Sequence, residues 1–473
     1  MKKEVSIYLQ MRRFRRRLKS KEKRKQRRIA KQKQKAAEKA LLDFGQSITT
    51  ISQAYQELLP RNLAYLLNDP KSPFYVKKLT AYQYEPKKTL KVPQDFSIID
   101  NPNKSYGFLR DLVSVFYHQS CTEIEIEYKE CDRIDLLTQI LMDAILQDIS
   151  TFLNAAAKIG VNNIINVSRL SGKYYGKETL KKMINSVGSP VVLLNRKVNY
   201  MNVMSFNLRC LDGMKSRSKV DAQQEYDATT LLLYVNKCLK RLNKQLNRNA
   251  LRELGSIIGE TIINAEEHST LRYRYMVGYF EETNDSQDNH YGLLNLVIFN
   301  FGQSIYEKFK NPLQPINEKA KESMQQLSSL FIKKGFFSRS DFTEETLWTL
   351  YALQGGVTSV PNQKRGDGTI RFLDSFFRVK GDTKVDKESH LYLLSGSTRI
   401  DFDGTYQPVA YTEPNGDVKE IISFNESGSL EEKPNSNYVK SVDTYFPGTA
   451  IFAKLRIDDN DIKSLNNEET QQR

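Results

Sequence analysis

Cysteine and histidine are scarce in this chain, with four of each in 473 residues. The cysteines, Cys121, Cys131, Cys210 and Cys238, share no CxxC spacing, and so few histidines leave a zinc site short of ligands. Reduced thiols in the cytoplasm are the expectation. Long apolar runs are missing as well: no stretch reaches the roughly 18 residues that a membrane span needs. No charged-then-apolar segment leads to a cleavage site, so export is not expected either. What remains is a cytoplasmic globular chain long enough for two or three domains.

Excess negative charge is also missing, and the positive excess is confined to one end. The formal net charge is +15. Residues 1–40 hold 18 Lys or Arg against Glu4, Glu22 and Glu38, which accounts for all of it and leaves 53 charges of each sign in the remainder. The segment has too few apolar residues to bury a core. Such a block condenses on phosphate backbones by counterion release, so nucleic acid is the expected partner of residues 1–40, with an anionic membrane surface or an acidic protein as rivals. No strong apolar stripe marks it as an inserted anchor.

The polar residues with the most informative spacing are Glu260, Asn264 and His268, in GSIIGETIINAEEHST. At about 100° per residue, each four-residue step drifts only about 40°, so the three share one side of a helix. Leu254, Ile258, Ile262 and Ala265 cluster on a neighbouring face that suits packing on a sheet. The helix therefore presents a carboxylate, an amide and an imidazole to a cleft while it is held from behind. A carboxylate can orient a nucleophile toward a terminal phosphate, and an amide oxygen is a hard ligand suited to magnesium.

Further motifs follow in order. An alternating strand is expected over Tyr275 to Glu281. The run from Gly292 through Asn300, Phe301 and Gly302 reads as a buried strand ending in a glycine turn, against which a flat base can lie. Lys364-Arg365-Gly366-Asp367-Gly368-Thr369 precedes a helical pattern, and a glycine-rich loop opening a helix offers backbone N–H groups to phosphate. Phe446-Pro447-Gly448-Thr449 leads into the strand AIFAKLRI.

Taken in this order, the four segments over residues 250–455 resemble the GHKL, or Bergerat-fold, ATPase superfamily. The resemblance implies that Glu260, Asn264 and His268 form the N-box, with Asn264 holding Mg²⁺ and Glu260 acting as base beside His268. It further implies that Asn300 and Gly302 contact adenine, that Arg365, Gly366, Gly368 and Thr369 cover the phosphates, and that Gly448 and Thr449 close the site near the base. The Asn-Ala-x-Glu-His-Ser wording lies closer to the anti-sigma-factor serine-kinase branch than to gyrase. Two departures stand out: Asn300 replaces the family's adenine-binding aspartate, and Ser304 replaces its second glycine. An asparagine oxygen still accepts a hydrogen bond, without the charge assistance of a carboxylate. Between Gln303 and Lys364, NEKAKESMQQLSSLFIKK and TEETLWTLYALQ carry helical spacing around a breaker near Gly335, as a closing lid would.

Upstream, residues 41–117 read mainly as helix, with one over SYGFLRDLVSVFYHQS and a loop at KVPQDFSIIDNPNK. Thr122 to Tyr128 alternates as a half-buried strand, Ile134 to Asn154 as a long helix, and Asn162 to Ser168 and Pro190 to Leu194 as further strands. EIEIEYKECDRIDLLTQILMDAIL resembles the start of a STAS-like domain. Where a regulatory STAS domain has its phosphorylatable serine, this chain has Asp135, Leu136 and Leu137, which implies a docking module for a protein partner. Leu231, Leu232, Val235, Leu239 and Leu242 follow helical spacing in a connecting helix that can pack beside the N-box helix or form a homodimer seam.

The expected fold class is therefore α/β (α+β): a C-terminal two-layer α/β sandwich of GHKL ATPase type with a mixed sheet, preceded by a small STAS-like α/β domain and a basic helical tail. The boundaries expected are a basic tail over 1–40, a helical region over 41–117, the STAS-like domain over 118–212, a connecting helix over 213–250, the ATP-binding domain over 251–456 with its lid at about 304–364, and a polar tail over 457–473. Three functions compete. One is an Mg²⁺-dependent ATP-hydrolysing switch in which Glu260 activates water, an arrangement similar to bacterial regulatory or defence components. The others are a serine/threonine protein kinase of the anti-sigma-factor type and a nucleotide-sensing module without turnover. Sensor-kinase autophosphorylation fits poorly, because His118 lacks a following acidic residue and the usual proline.

Overall fold

The structure is a computed structural model that describes residues 57–75, 85–117, 121–158, 169–173, 175–189, 200–267, 269–332, 342–359, 385–412 and 418–458, together with Arg24, Arg28 and Ile370. The rest of the basic segment, His268 and the 364–369 loop lie outside the described residues, as do the strands expected at 162–168 and 190–194.

A five-stranded sheet is built from β6 (Val203–Asp212), β7 (Tyr273–Asn284), β8 (His290–Phe301), β9 (His390–Phe402) and β12 (Val439–Asp458), in the order β6-β7-β8-β12-β9. Every described pairing within it is antiparallel, where a mixed sheet was expected. The reason is visible between β6 and β7: two helices, α5 (Arg217–Arg241) and α6 (Arg248–Glu267), fold back on each other and return the chain in the opposite direction.

Helices from the same C-terminal segment lie on one face of this sheet, as a two-layer sandwich would have them, and the upstream α/β unit lies on the other. Strand alternation sends Leu294, Leu296 and Ile298 of β8 to one face and Val297, Phe299 and Phe301 to the other. Tyr275, Val277 and Tyr279 of β7 join the second set, while Met276 and Phe280 join the first. Both faces are thus strongly apolar, and both are covered. On the first lie α5 and α6 with α8 (Glu318–Phe331) and α9 (Glu344–Ala352). On the second lie α1 (Arg61–Asn68), α2 (Pro102–Tyr117), α3 (Leu136–Lys158) and α4 (Glu178–Val187).

Those helices share their core with a small parallel sheet, β1 (Glu85–Lys91), β3 (Cys121–Glu127) and β5 (Arg169–Lys173), in the order β1-β3-β5. Strand β1 falls in a region expected to be helix and loop, and β6 joins the five-stranded sheet although it precedes residue 213. The sheet boundaries therefore differ from the 118–212 interval expected for the α/β unit. The signal for β1 was masked by Pro86 and three lysines, which suit an edge strand with one solvated face. In β3, Ile124 and Ile126 face the core, whereas Glu125 on the other face is paired by both Lys87 and Lys173. A short pairing of β2 (Asp95–Phe96) with β4 (Arg133–Ile134) ties the two crossover connections together. Strands β10 (Val409–Thr412) and β11 (Val418–Ile421) pair antiparallel in a separate two-stranded sheet.

Two features fix the helical layers. Asp227 on α5 and Arg274 on β7 form an ion pair at 2.9 Å, with side chains 1% and 0% exposed, and Arg209 on β6 adds a second contact at 3.1 Å. Breaking such a buried pair from one side costs about 3–5 kcal/mol. On the opposite side of the sheet, α3 is long and apolar enough by composition to cross a membrane, yet 67% of that apolar stretch is buried inside the protein. Its apolar surface serves as the packing between the two sheets.

Helix α3 and Asp135, the residue just before it, also bring acids into that interior. Burial pushes the carboxyls of Asp143 and Asp148 up to about 7 and that of Asp135 up to about 6. Ser189 Oγ and Gln139 Nε2 donate to Asp143 Oδ1 at 2.6 and 3.0 Å, which opposes the burial effect without cancelling it. Because these acids bind protons more tightly in the folded state, their stabilising contribution is complete below pH about 4 and is lost as pH rises through about 7. For Asp143 the rise corresponds to roughly 4 kcal/mol on full ionisation. Melting temperature measured between pH 5 and 8 should therefore fall with rising pH, and the fall should be smaller in Asp143→Asn.

Candidate functional site

Helix α6 is held by one side. Leu254, Ile257, Ile258 and Ile262 are buried against α5, β7 and β8, as the sequence spacing predicts, and Ala265 packs at the margin of the same core. Asn247 caps the start, its Oδ1 accepting from Ala250 N at 2.9 Å. Glu260 and Asn264 are half-buried on the flank of this buttressed face. Neither side chain bonds to a described residue, so a carboxylate and an amide stand one turn apart with their hydrogen-bonding capacity open. His268 falls just beyond the described helix.

The end of α6 is anchored to the sheet. Ser269 N donates to Glu266 O at 3.1 Å, tightening the last turn, and Ser269 Oγ donates to Phe301 O at 2.8 Å. Glu266 is buried and accepts from Gln224 Nε2 of α5 at 3.1 Å. These contacts fix the helix terminus against the end of β8, where Asn300, Phe301 and Gly302 lie.

In the β8–β12 ladder Asn300 stands opposite Thr449 and Phe301 opposite Gly448. Asn300 Nδ2 donates to Ala265 O at 2.6 Å, and Thr449 N donates to Asn300 Oδ1 at 3.3 Å. The structure thus brings Asn264, Asn300 and Thr449 to one end of the sheet, with Glu260 one turn back along α6. Thr449 Oγ1 shares a 3.0 Å hydrogen bond with Ser395 Oγ, which in turn accepts from Ile305 N at 2.8 Å. Nothing in the sequence pattern marked Ser395, because its role arises from the β9–β12 pairing.

The two glycines here are required by close approach. A Cβ on Gly448, at φ 151°, would lie 2.0 Å from the Asn300 carbonyl oxygen. A Cβ on Gly302, at φ 136°, would lie 2.8 Å from Thr270 N. Thr270 therefore fills the side of Gly302 on which a side chain would stand. Arg365, Gly366, Gly368 and Thr369 lie outside the described residues, so the phosphate loop has no described geometry.

Ser304, where a glycine was expected, caps the short helix α7 (Ile305–Lys310). Its Oγ accepts from Glu307 N at 3.2 Å while Glu307 Oε2 accepts from Ser304 N at 3.2 Å, a reciprocal capping box. Glu307 is also paired with Lys71 and accepts from Tyr445 OH at 2.7 Å. Burial works to raise the Glu307 carboxyl, yet Lys71, Tyr445 and the Ser304 N–H together hold it below the usual carboxylate range. Helices α8 and α9 occupy the two stretches expected for a lid. Trp348 Nε1 of α9 donates to Ser328 Oγ of α8 at 3.0 Å, and Tyr306 OH of α7 donates to Glu344 of α9 at 2.6 Å.

Magnesium takes oxygen ligands in a near-octahedral shell and keeps several waters. No group of three or more His, Cys, Asp or Glu that could enclose a metal occurs among the described residues. Asn264 nevertheless fits an ion that takes one protein oxygen and completes its shell with phosphate and water, since its amide is half-buried and bonded to no described residue. No family model, curated protein or solved structure matches this chain.

The Gly448 contact is with backbone and cannot be relieved by a rotamer change. Gly448→Ala should lower stability by about 1–3 kcal/mol. Gly107→Ala, inside α2 with nothing within 4 Å of the added carbon, should instead raise it by about 0.5–1 kcal/mol. Denaturant unfolding of both variants checks the opposite signs.

Proposed function

We propose that this chain is a Mg²⁺-dependent ATP-binding protein of the GHKL type that hydrolyses ATP as a molecular switch. The observation that carries the reading is α6: a helix buttressed on one face that presents Glu260 and Asn264, neither bonded to a described residue, beside the anchored Asn300–Thr449 end of a sheet. Support also comes from the order of segments along the chain, N-box helix, strand pair, helical insertion, glycine loop and closing Gly-Thr strand. The five-stranded sheet with helices on the α6 side is the layer arrangement such a site needs.

In this reading Asn264 offers its amide oxygen to the metal, and Glu260 accepts a proton from the water that attacks the terminal phosphate. Bound magnesium supplies charge neutralisation across the phosphate oxygens. Helices α7, α8 and α9 exclude water from the cleft. Residues 1–40 contact nucleic acid through phosphate charge, and the parallel-sheet unit docks a protein partner.

A second reading, nucleotide sensing without turnover, is favoured by one observation: Asn300 is buried and engaged on both its polar ends. Phosphate release and label transfer from ATP by the full chain separate the possibilities. Glu260→Ala should cut phosphate release by about 10²–10⁴-fold while leaving nucleotide binding. Asn264→Ala, or chelation of magnesium, should remove both. Label on a second protein would make the chain a kinase, and binding with neither outcome would make it a sensor.

A further inference from the structure

Ala265 sits in the last turn of α6, where backbone carbonyls lose their intrahelical partners. In a continuing helix its oxygen would accept from the N–H of residue 269, but Ser269 N turns to Glu266 O instead. The carbonyl freed in this way is the one that Asn300 reaches from β8, with Nδ2 donating at 2.6 Å. The other end of the same amide accepts from Thr449 N on β12. A carbonyl can only accept and a backbone N–H can only donate, so the two partners fix which way the amide points. Asn300 is 3% exposed, leaving almost no edge for a ligand.

We infer that Asn300 is a positioning residue: its amide ties the Asn264 end of α6 to the β8–β12 ladder, and it does not read the base. This rests on the nucleotide reading proposed above and assigns that site's Asn a different role from the one the family resemblance implies. The same pair of partners accounts for asparagine at this position. Aspartate has the same shape, but when ionised it has no donor, and its oxygen would face the Ala265 carbonyl at a distance that two acceptors do not tolerate. A protonated carboxyl can donate there, so the defect in an aspartate variant should heal as pH falls.

The test uses the full chain with Asn300→Ala and Asn300→Asp. Binding of non-hydrolysable ATP and GTP analogues is titrated over a range of magnesium concentrations, with melting temperature followed from pH 5 to 8 relative to the native chain. Both variants should weaken the two nucleotides by the same factor, leaving their affinity ratio within about twofold of native. Both should need at least tenfold more magnesium for half-maximal ATP binding. At pH 8 the aspartate variant should melt below the alanine variant, and it should recover relative to it by pH 5. The inference is overturned if Asn300→Asp tightens ATP over GTP, or if either variant changes base preference while its magnesium requirement stays native. Should the native chain bind neither nucleotide, the nucleotide reading fails by itself, and hydrogen exchange decides the tie. Faster exchange at the Thr449 amide and across the last turn of α6 in Asn300→Ala supports it, and unchanged exchange refutes it.

Discussion

The β8–β12 ladder pairs eleven residues of each strand, from Tyr291–Asp458 to Phe301–Gly448, and holds the candidate site at one end. It lies inside a five-stranded sheet, so its side chains fall alternately into two cores, and both cores must be packed before either strand is stable. Helix α6 and the helices around α8 and α9 close one core, while α2 and α3 close the other. Any shift of register by one residue would exchange Phe299 and Ile298 between the two environments and separate Asn300 from Thr449. The geometry of the candidate site is therefore inherited from the centre of the fold.

This layering also makes the two parts of the chain mechanically continuous. The parallel sheet and its helices do not hang from the larger sheet by a linker. They share a core with it through Tyr275, Val297, Phe299 and Phe452, and by polar ties such as Asn62 Nδ2 donating to Tyr275 OH at 2.6 Å. Arg399 on β9 donates to the Ile99 carbonyl at 2.6 Å, and Lys71 meets Glu307 beside α7. These contacts join β9 and α7 directly to the α/β unit.

Much of this was legible in the sequence where one periodicity ruled a whole segment. The spacing of Leu254, Ile258 and Ile262 marked α6 and its buried face, and EIEIE marked β3. The helices α3, α5, α8 and α9 were marked by their own apolar repeats. The docking of the α/β unit on the second face of the large sheet was not read, although Tyr275, Val277 and Tyr279 alternating with Met276 and Phe280 was a signal that both sides are covered. Strand β1 was obscured because an edge strand rich in lysine has no apolar alternation to detect. The tie from Asn300 to Ala265 and the pair of Asp227 with Arg274 could not be read at all. They join positions 35 and 47 residues apart, and one of the partners is a backbone oxygen that no side-chain pattern reports.

The central claim is that a carboxylate and an amide on α6 face the metal-bound phosphates of a nucleotide. It is tested most directly by a crystal structure of the full chain with a non-hydrolysable ATP analogue and magnesium. The account predicts Asn264 Oδ1 about 2.1 Å from the ion, Glu260 turned toward the terminal phosphate, and Asn300 still bonded to Ala265. Nucleotide bound away from α6, or an ion coordinated without Asn264, would contradict it.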